Sequence, residues 1–382
     1  MIAVWIALGF SILYLLLQIY YLSYWIKTPT ALSIPAIAVQ EGVTVVIIAH
    51  NEEKSITTCL EGILSQQFPA ELMEVIVIDD HSTDGTVSLI KNIEDARLHL
   101  FLLKEYPDFI HPPAFKKSGI TLGVEKASFD TIVVTDADCI HQPNWLKVIL
   151  YGFIQSNAVF QTGPVILMPG ATMMQKMQEV EQLILMLITG AGMTSKLHDL
   201  ANGANMVFRK LSFQQVNGFV GNEQYASGDD LFLIEKMRNV FPDKISFIKS
   251  MDAVVYTKAK KTWASLMQQR LRWAGKNKGL KDKTIHRIWL FVGAFHVVLV
   301  LTLLGSIANI LSPWSFISLF VIKWFADFLL VSTAATFFQR TAILKYFVAL
   351  QFLYSYYILR LGLMIIVGKK GDWTRSLQPP TP

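Results

Sequence analysis

The chain has 382 residues, 52% of them hydrophobic, and a formal net charge of +5. With a mean hydropathy of +0.40 it is not an ordinary soluble domain, and it is too long to be a single small one. Its two cysteines, Cys59 and Cys139, are too few for a disulfide framework and read as small buried hydrophobes, so nothing calls for an oxidising compartment.

Residues 1–26 carry no charge before Lys27. A secretory signal would begin with a basic stretch and end at a small-residue cleavage site. This segment has neither, and it closes on Tyr20-Tyr21-Leu22-Ser23-Tyr24-Trp25, an aromatic belt suited to a membrane interface. It reads as an uncleaved transmembrane anchor. Lys27 then places the following domain on the cytoplasmic side.

Residues 40–258 read as an α/β domain. Val43–Ala49 is a β-branched run, as in a strand buried on both faces. Residues 53–66 look helical. Residues 74–80 form a second strand that ends in Asp79-Asp80, and Ser82-Thr83-Asp84-Gly85 is turn and N-cap chemistry before another helix. A third strand at 98–103, a helix at 116–127 and a fourth strand at 130–135 follow, the last ending in Asp136-Ala137-Asp138. This order predicts an α/β sheet with a largely parallel core, whose ligands bind beyond the carboxyl ends of the strands. His50-Asn51-Glu52, Asp79-Asp80, Asp136 and Asp138 all gather there. Packing alone does not explain Val and Ile strands that repeatedly end in carboxylates, although Asp84 fits a turn cap equally well. Residues 173–193, rich in Met and Leu and holding Glu179 and Glu181, read as a buried or interfacial helix too short to span. Asn202-Gly203-Ala204-Asn205 resembles a turn that approaches a ligand closely, and a simple loop fits nearly as well.

Asp136-Ala137-Asp138 has the spacing of a divalent metal site. Its hard oxygens suit Mg²⁺ or Mn²⁺, which would share coordination with a diphosphate and neutralise the charge growing on it as it departs. Alone the pattern is weak; at the end of a buried strand and downstream of Asp80 it is stronger. Gly228-Asp229-Asp230 precedes a helical run, and both carboxylates would serve as helix-terminal residues. The functional reading makes one of them a general base, taking the proton of an acceptor hydroxyl as it attacks C1 of a sugar. His81 and His141 lie near the acids without metal-type spacing and are read as incidental.

Residues 259–286 form a basic amphipathic interface segment. From Lys258 to Arg287 there are ten Lys or Arg and a single acid, Asp282. A nucleic-acid patch has such a composition, but this one runs straight into an apolar stretch. It reads as a cytoplasmic juxtamembrane band, and no nucleic-acid partner is expected. Gln269, Trp273 and Lys276 fall on one helical face with Arg272 beside them. An indole beside cationic and amide donors suits a sugar ring and a diphosphate. An interfacial helix anchored by Trp273 is the alternative, and both can hold. Residues 287–368 contain three further candidate spans, 288–311, 314–338 and 346–367, before a polar tail at 369–382. Arg340 and Lys345 mark a cytoplasmic loop. Four crossings from an outside N-terminus would nevertheless put Lys369, Lys370 and Arg375 outside, so either one segment does not cross or the positive-inside trend fails here. Lys323 and Asp327, four apart inside the second candidate, are either a functional charge pair or a structural one facing a neighbouring helix.

Taken in order, these motifs resemble the family 2 glycosyltransferases with a GT-A fold. More narrowly they are similar to the membrane-integrated branch, which includes cellulose, hyaluronan and ceramide-glucosyl synthases. The resemblance covers roughly residues 43–276. Ala49-His50-Asn51-Glu52-Glu53 is similar to the first-strand motif, which contacts the nucleotide. Val77-Ile78-Asp79-Asp80-His81-Ser82-Thr83-Asp84 resembles the second, whose later aspartate, here Asp80, contacts the base. Lys117 falls in the basic stretch that approaches the donor. Asp136 and Asp138 match the Asp-x-Asp pair at metal and donor, with Asp138 the direct metal ligand. Asp230 matches the catalytic base. Gln269, Arg272 and Trp273 match the Gln-x-x-Arg-Trp motif and, with Asp229 and Arg270, make up the expected acceptor and diphosphate site.

The resemblance implies an inverting, one-step transfer with no covalent enzyme intermediate. The donor is a nucleoside-diphosphate sugar, with a UDP-sugar the first expectation, and the acceptor is a lipid, lipid-linked or saccharide group at the cytoplasmic face of the cell membrane. His50 stands where the family often has Tyr or another polar residue, which leaves base specificity open. A processive polysaccharide synthase is the alternative, weakened by a C-terminal membrane region shorter than in the large polymer synthases. A transporter or scaffold with a non-catalytic nucleotide-binding domain would leave Asp138, Asp230 and Trp273 unexplained.

Overall fold

The computed structural model describes residues 2–30, 40–276 and 279–369. Helix α1, Ile2–Lys27, comes first. The α/β layer begins with β1 Val43–Ala49, α2 Ile56–Leu64, β2 Met73–Asp79, α3 Thr86–Lys91, β3 Leu98–Leu102, α4 Phe115–Lys126 and β4 Thr131–Asp136. It continues through β5 Ile140–His141, α5 Trp145–Gln155, β6 Phe160–Thr162, β7 Val165–Leu167, α6 Met173–Ser195, β8 Met206–Arg209, α7 Lys210–Gln215, α8 Asp229–Val240, β9 Ile245–Phe247 and β10 Val255–Thr257. Helix α9, Trp263–Lys276, leads to three long helices, α10 Thr284–Ile307, α11 Pro313–Phe337 and α12 Phe347–Ile366.

Seven strands form one sheet in the order β3-β2-β1-β4-β8-β6-β9, and a small sheet runs β5-β10-β7. Strands β1 to β4 are mutually parallel, β8 is antiparallel to β4 and β6, and β9 is parallel to β6. The expected mostly parallel α/β sheet is therefore present. Strand β1 is Val-Thr-Val-Val-Ile-Ile-Ala because helices cover both of its faces. Val46, Ile76 and Val134 join the core shared with α4 and α6, while Val45, Val77 and Val133 join the one under α2 and α5. Helix α4 reaches β1 through two glycines. A β-carbon on Gly123 would stand 2.5 Å from Val46 Cγ1, and one on Gly119 would stand 2.9 Å from Ile48 Cδ1, so larger side chains there would lift the helix off the sheet.

The helix expected at 53–66 is shorter, because the residues before Ile56 bind the loop after β2 instead. Thr83 N–H donates to Asn51 Oδ1 at 2.8 Å, Glu52 N–H to Thr86 Oγ1 at 2.8 Å and Gly85 N–H to Glu53 Oε2 at 3.1 Å. Asp84 serves as a local cap, its Oδ1 accepting from the Thr86 N–H at 3.0 Å.

Helix α6 lies between the sheet and the long helices, packing against β7 and β9 on one side and α1 and α11 on the other. A capping box of Thr172 and Gln175 starts it. Four helical segments are long and apolar enough to cross a membrane: Val4–Lys27, α10, α11 and Thr341–Ile366, the last joining a 3₁₀ turn to α12. Lys370, Arg375 and the rest of the tail after residue 369 lie outside the described residues, as does the side chain of Lys276. The C-terminal end of α1 is held from the α/β layer. Buried Lys249 donates to the Trp25 carbonyl at 2.7 Å and lies 4.3 Å from the centre of the Trp25 ring.

Lys323 and Asp327 have the partners of a structural pair. Lys323 Nζ donates to Asp327 Oδ2 at 2.6 Å and to Gln351 Oε1 at 2.5 Å, and Tyr14 Oη donates to Asp327 Oδ1 at 2.5 Å. Three long helices, α1, α11 and α12, are thereby joined in an apolar layer. Replacing Lys323 by Met strands Asp327 there and is expected to lower stability in detergent by about 3 kcal/mol, read as a fall in unfolding temperature. The double variant Lys323→Met, Asp327→Leu should recover most of that loss; equal losses in both would mean the two charges do not depend on each other.

Candidate active site

Three parallel strands end side by side. Ala49 is in register with Asp79, and Ile48 with Asp136, so the residues after β1, β2 and β4 emerge at one edge about 5 Å apart from strand to strand. His50 Nδ1 lies 2.5 Å from the Asp80 carbonyl oxygen, and the Asp80 N–H donates to the Ala49 carbonyl at 2.8 Å. Asp80 is buried, with Oδ1 3.0 Å from Nδ1 of His81. His81, read above as incidental, is therefore a partner of Asp80 in the site. Asn51 and His81 both have a positive φ, 56° and 58°, which turns each chain sharply at its strand end.

The second half of the site comes from α8. Gly228, at φ 90°, sets the turn that starts the helix, and Asp229 and Asp230 occupy its buried first turn. Asp230 Oδ1 accepts the Leu231 N–H at 2.8 Å. What joins this end to the strands is Lys116 of α4. Its ammonium lies 2.7 Å from Asp136 Oδ1 and 3.2 Å from Asp229 Oδ2. Burial works against that charge, but the carboxylates of Asp136, Asp229 and Asp230 outweigh burial and hold Lys116 above the ordinary lysine range. The Asn202-Gly203 turn abuts the pair: a β-carbon on Gly203 would stand 2.6 Å from Asp229 Oδ2 and 3.0 Å from Lys116 Nζ.

The lysine expected to approach a donor, Lys117, points elsewhere. Its Nζ donates to the carbonyls of Asn222 at 2.9 Å and Tyr225 at 2.6 Å and lies 4.8 Å from the centre of the Phe232 ring. It props the loop that leads to Asp229 and Asp230. The glycines explain the exchange. Gly119 and Gly123 mark the face of α4 that meets β1, and position 116 lies on that face, three and seven residues earlier. Lys117 borders a cavity of about 270 Å³ on the opposite face of α4, shared with Phe213, Phe219 and Glu223 and away from the carboxylates.

Asp138 is half-buried, and burial followed by the charge of Asp136 pushes its carboxyl above the usual range. Lys260 and the Thr257 hydroxyl, 3.4 Å from Asp138 Oδ2, act in the other direction. Glu52 is raised in the same way, by burial first, with Asp138 and Asp136 adding to it against the Ser55 hydroxyl and Lys260. Two crowded carboxylates fit a hard divalent cation, which would remove their mutual repulsion. Among the described residues no three His, Cys, Asp or Glu side chains are gathered for a metal. A cation at Asp136 and Asp138 would therefore fill its remaining positions with water or ligand oxygens, as Mg²⁺ and Mn²⁺ do.

Helix α9 is organised around Arg270, which was expected at the acceptor or diphosphate. It is buried and pairs instead with Glu181 of α6, with Nε 3.1 Å from the Tyr357 hydroxyl of α12. Gln269 Oε1 accepts from Arg270 Nη1 at 2.8 Å, and the guanidinium stacks 4.2 Å from the centre of the Trp273 ring. Arg270 thus fastens α9 to α6 and α12. Arg272 is half-buried, and burial lowers it from the ordinary arginine range.

Residues 44–216 match the glycosyl transferase family 2, and residues 131–366 match the glycosyl transferase family group 2. The chain is 30% identical over 105 residues to the glycosyltransferase AglE of Haloferax volcanii, covering 28% of this chain and 33% of that one. It is 23% identical over 243 residues to the probable glycosyltransferase YdaM of Bacillus subtilis, covering 62% and 55%. The chain thus spans about a third of the first of these relatives and about half of the second. A solved structure, the mannosyltransferase PcManGT of Pyrobaculum calidifontis in complex with GDP-Man and Mn²⁺, superposes with a TM-score of 0.57 at 18% identity over 96% of this chain and 100% of that one. At that identity the likeness establishes the fold.

Replacing Lys117 by Met leaves two loop carbonyls without their donor. The variant is expected to lose about 2 kcal/mol of stability, measured as a lowered unfolding temperature. An unchanged temperature would mean that the loop before α8 does not rely on this lysine.

Proposed function

Because the chain belongs to glycosyltransferase family 2, we propose that it is an inverting, metal-dependent enzyme that moves a sugar from a nucleoside-diphosphate donor to a lipid or lipid-linked acceptor at the cytoplasmic membrane face. The observation that carries this reading is the bridge of Lys116, 2.7 Å from Asp136 and 3.2 Å from Asp229. It sets the carboxylate pair suited to a cation beside the carboxylates suited to a base.

In this reading Ala49, His50, Asn51, Glu52 and Asp80 hold the nucleotide beyond the ends of β1 and β2. Asp136 and Asp138 would hold a divalent cation, which would supply positive charge to the departing diphosphate. Asp230 accepts the proton of the acceptor hydroxyl as its oxygen bonds to C1. The bond from C1 to the diphosphate oxygen breaks on the opposite face, its electrons leave with the nucleoside diphosphate, and the anomeric configuration inverts. That PcManGT was solved with GDP-Man and Mn²⁺ supports both the donor class and the cation.

What α8 touches supports the acceptor side of this reading. Leu231 and Phe232, next to Asp230, pack with Leu280 and with Ile285 of α10. Glu235 of α8 accepts the N–H groups of Lys281 and Asp282 at 2.7 and 2.9 Å. The helix that carries the base is therefore fastened to the start of a long apolar helix, and an acceptor delivered from the bilayer reaches Asp230 along it. Lys27 and the basic residues from Lys258 to Arg287 favour placing this end of the molecule at the cytoplasmic face.

The variant Asp230→Asn is expected to bind donor normally and to lose transfer by about a thousandfold, followed as product formation and nucleoside diphosphate release from a panel of nucleotide sugars with membrane lipid as acceptor. Normal turnover in it would remove the base assignment. Chelation by EDTA should stop transfer and Mn²⁺ or Mg²⁺ should restore it; indifference to the chelator would remove the cation.

A further inference from the structure

The loop between β10 and α9 carries a lysine with no role so far. Thr257, the last residue of β10, donates its hydroxyl to Asp138 Oδ2 at 3.4 Å. Strand β10 itself pairs with β5, which begins two residues after Asp138. Three residues beyond Thr257, Lys260 is gripped at both backbone polar groups by one side chain. Its N–H donates to Gln178 Oε1 at 2.9 Å, and its carbonyl accepts from Gln178 Nε2 at 3.0 Å. Gln178 is on α6 and only 1% exposed, so the grip comes from the interior. The grip fixes the backbone from which the Lys260 side chain springs, three residues after the Thr257 contact with Asp138.

The neighbouring lysines make the contrast. Lys258 and Lys261 are exposed, whereas Lys260 is half-buried. Its charge favours the anions of both Asp138 and Glu52. Lys116 meets Asp136 from α4. Cations from two separate elements thus act on the Asp136 and Asp138 pair. A divalent cation offsets the two carboxylates, but the diphosphate gains a negative charge when its bond to C1 breaks, and that charge calls for a partner of its own.

We propose that Lys260 is a diphosphate-binding residue of the donor site, its ammonium contacting an oxygen of the diphosphate and stabilising the charge that develops there. This rests on the donor reading above, and the experiment separates the two. Binding of UDP, GDP, UMP, GMP and inorganic pyrophosphate to the full-length protein in detergent with Mn²⁺ is measured by calorimetry. Lys260→Met is expected to weaken the nucleoside diphosphate that binds, and pyrophosphate, by about tenfold or more. The monophosphate should change by no more than about twofold, since it lacks the outer phosphate. Lys260→Arg should recover most of the loss, and Lys261→Met should match the unsubstituted protein. Unchanged diphosphate affinity in a folded Lys260→Met variant overturns the proposal, and so does an equal loss for mono- and diphosphate, which would mark a general structural role. If the unsubstituted protein binds neither UDP nor GDP and releases no nucleoside diphosphate from any nucleotide sugar, the donor reading falls and takes this one with it.

Discussion

The site depends on one ammonium placed between carboxylates carried by two separate elements, the end of β4 and the start of α8. Without Lys116, Asp136 at the end of β4 and Asp229 with Asp230 at the start of α8 would present like charges to each other across a small gap, and burial would amplify the repulsion. Its reach is set by the closeness of α4 to β1, which Gly119 and Gly123 permit. A packing fact in the core thus fixes an electrostatic fact at the site. The next residue, Lys117, holds the loop on the other side of the same helix. One turn of α4 therefore positions both halves of the chemistry.

The long apolar helices are joined to this layer by polar links rather than by apolar contact alone. Lys249 closes the end of α1, Arg270 gathers Glu181 and Tyr357, and Glu235 holds the turn before α10. Each link is directional and fixes an angle that apolar contact would leave loose. The family 2 glycosyltransferase layer and its apolar helices are in this sense one machine, with α6 as the shared plate.

Much of the architecture could be read from the chain. Runs such as Val43–Ala49 announce strands buried on both faces, and their carboxylate ends mark where ligands approach. Less was visible in β6 and β9, three residues each, because so short a run has no period to detect. Within the site, acids at strand ends could be listed in advance, but the choice between adjacent lysines could not be made without weighing the glycine face of α4. Arg270 sits inside a recognisable motif, yet its partners lie 89 and 87 residues away, and nothing local points to them. The turn at Gly203 was open between a ligand approach and a plain loop; what it approaches is the Lys116 and Asp229 pair.

The lysine that holds the end of α1 from the sheet, Lys249, has a consequence for how the molecule comes into being. Lys249 lies 224 residues after the Trp25 carbonyl that it satisfies. During synthesis the last turn of α1 must therefore rely on local donors such as Thr28, whose N–H reaches the Tyr24 and Trp25 carbonyls at 2.9 and 3.2 Å, while nearly the whole sheet is being made. Only when the strand before Lys249 joins the sheet does the helix receive its final partner. The first long apolar helix of this sequence is among the latest to be finished.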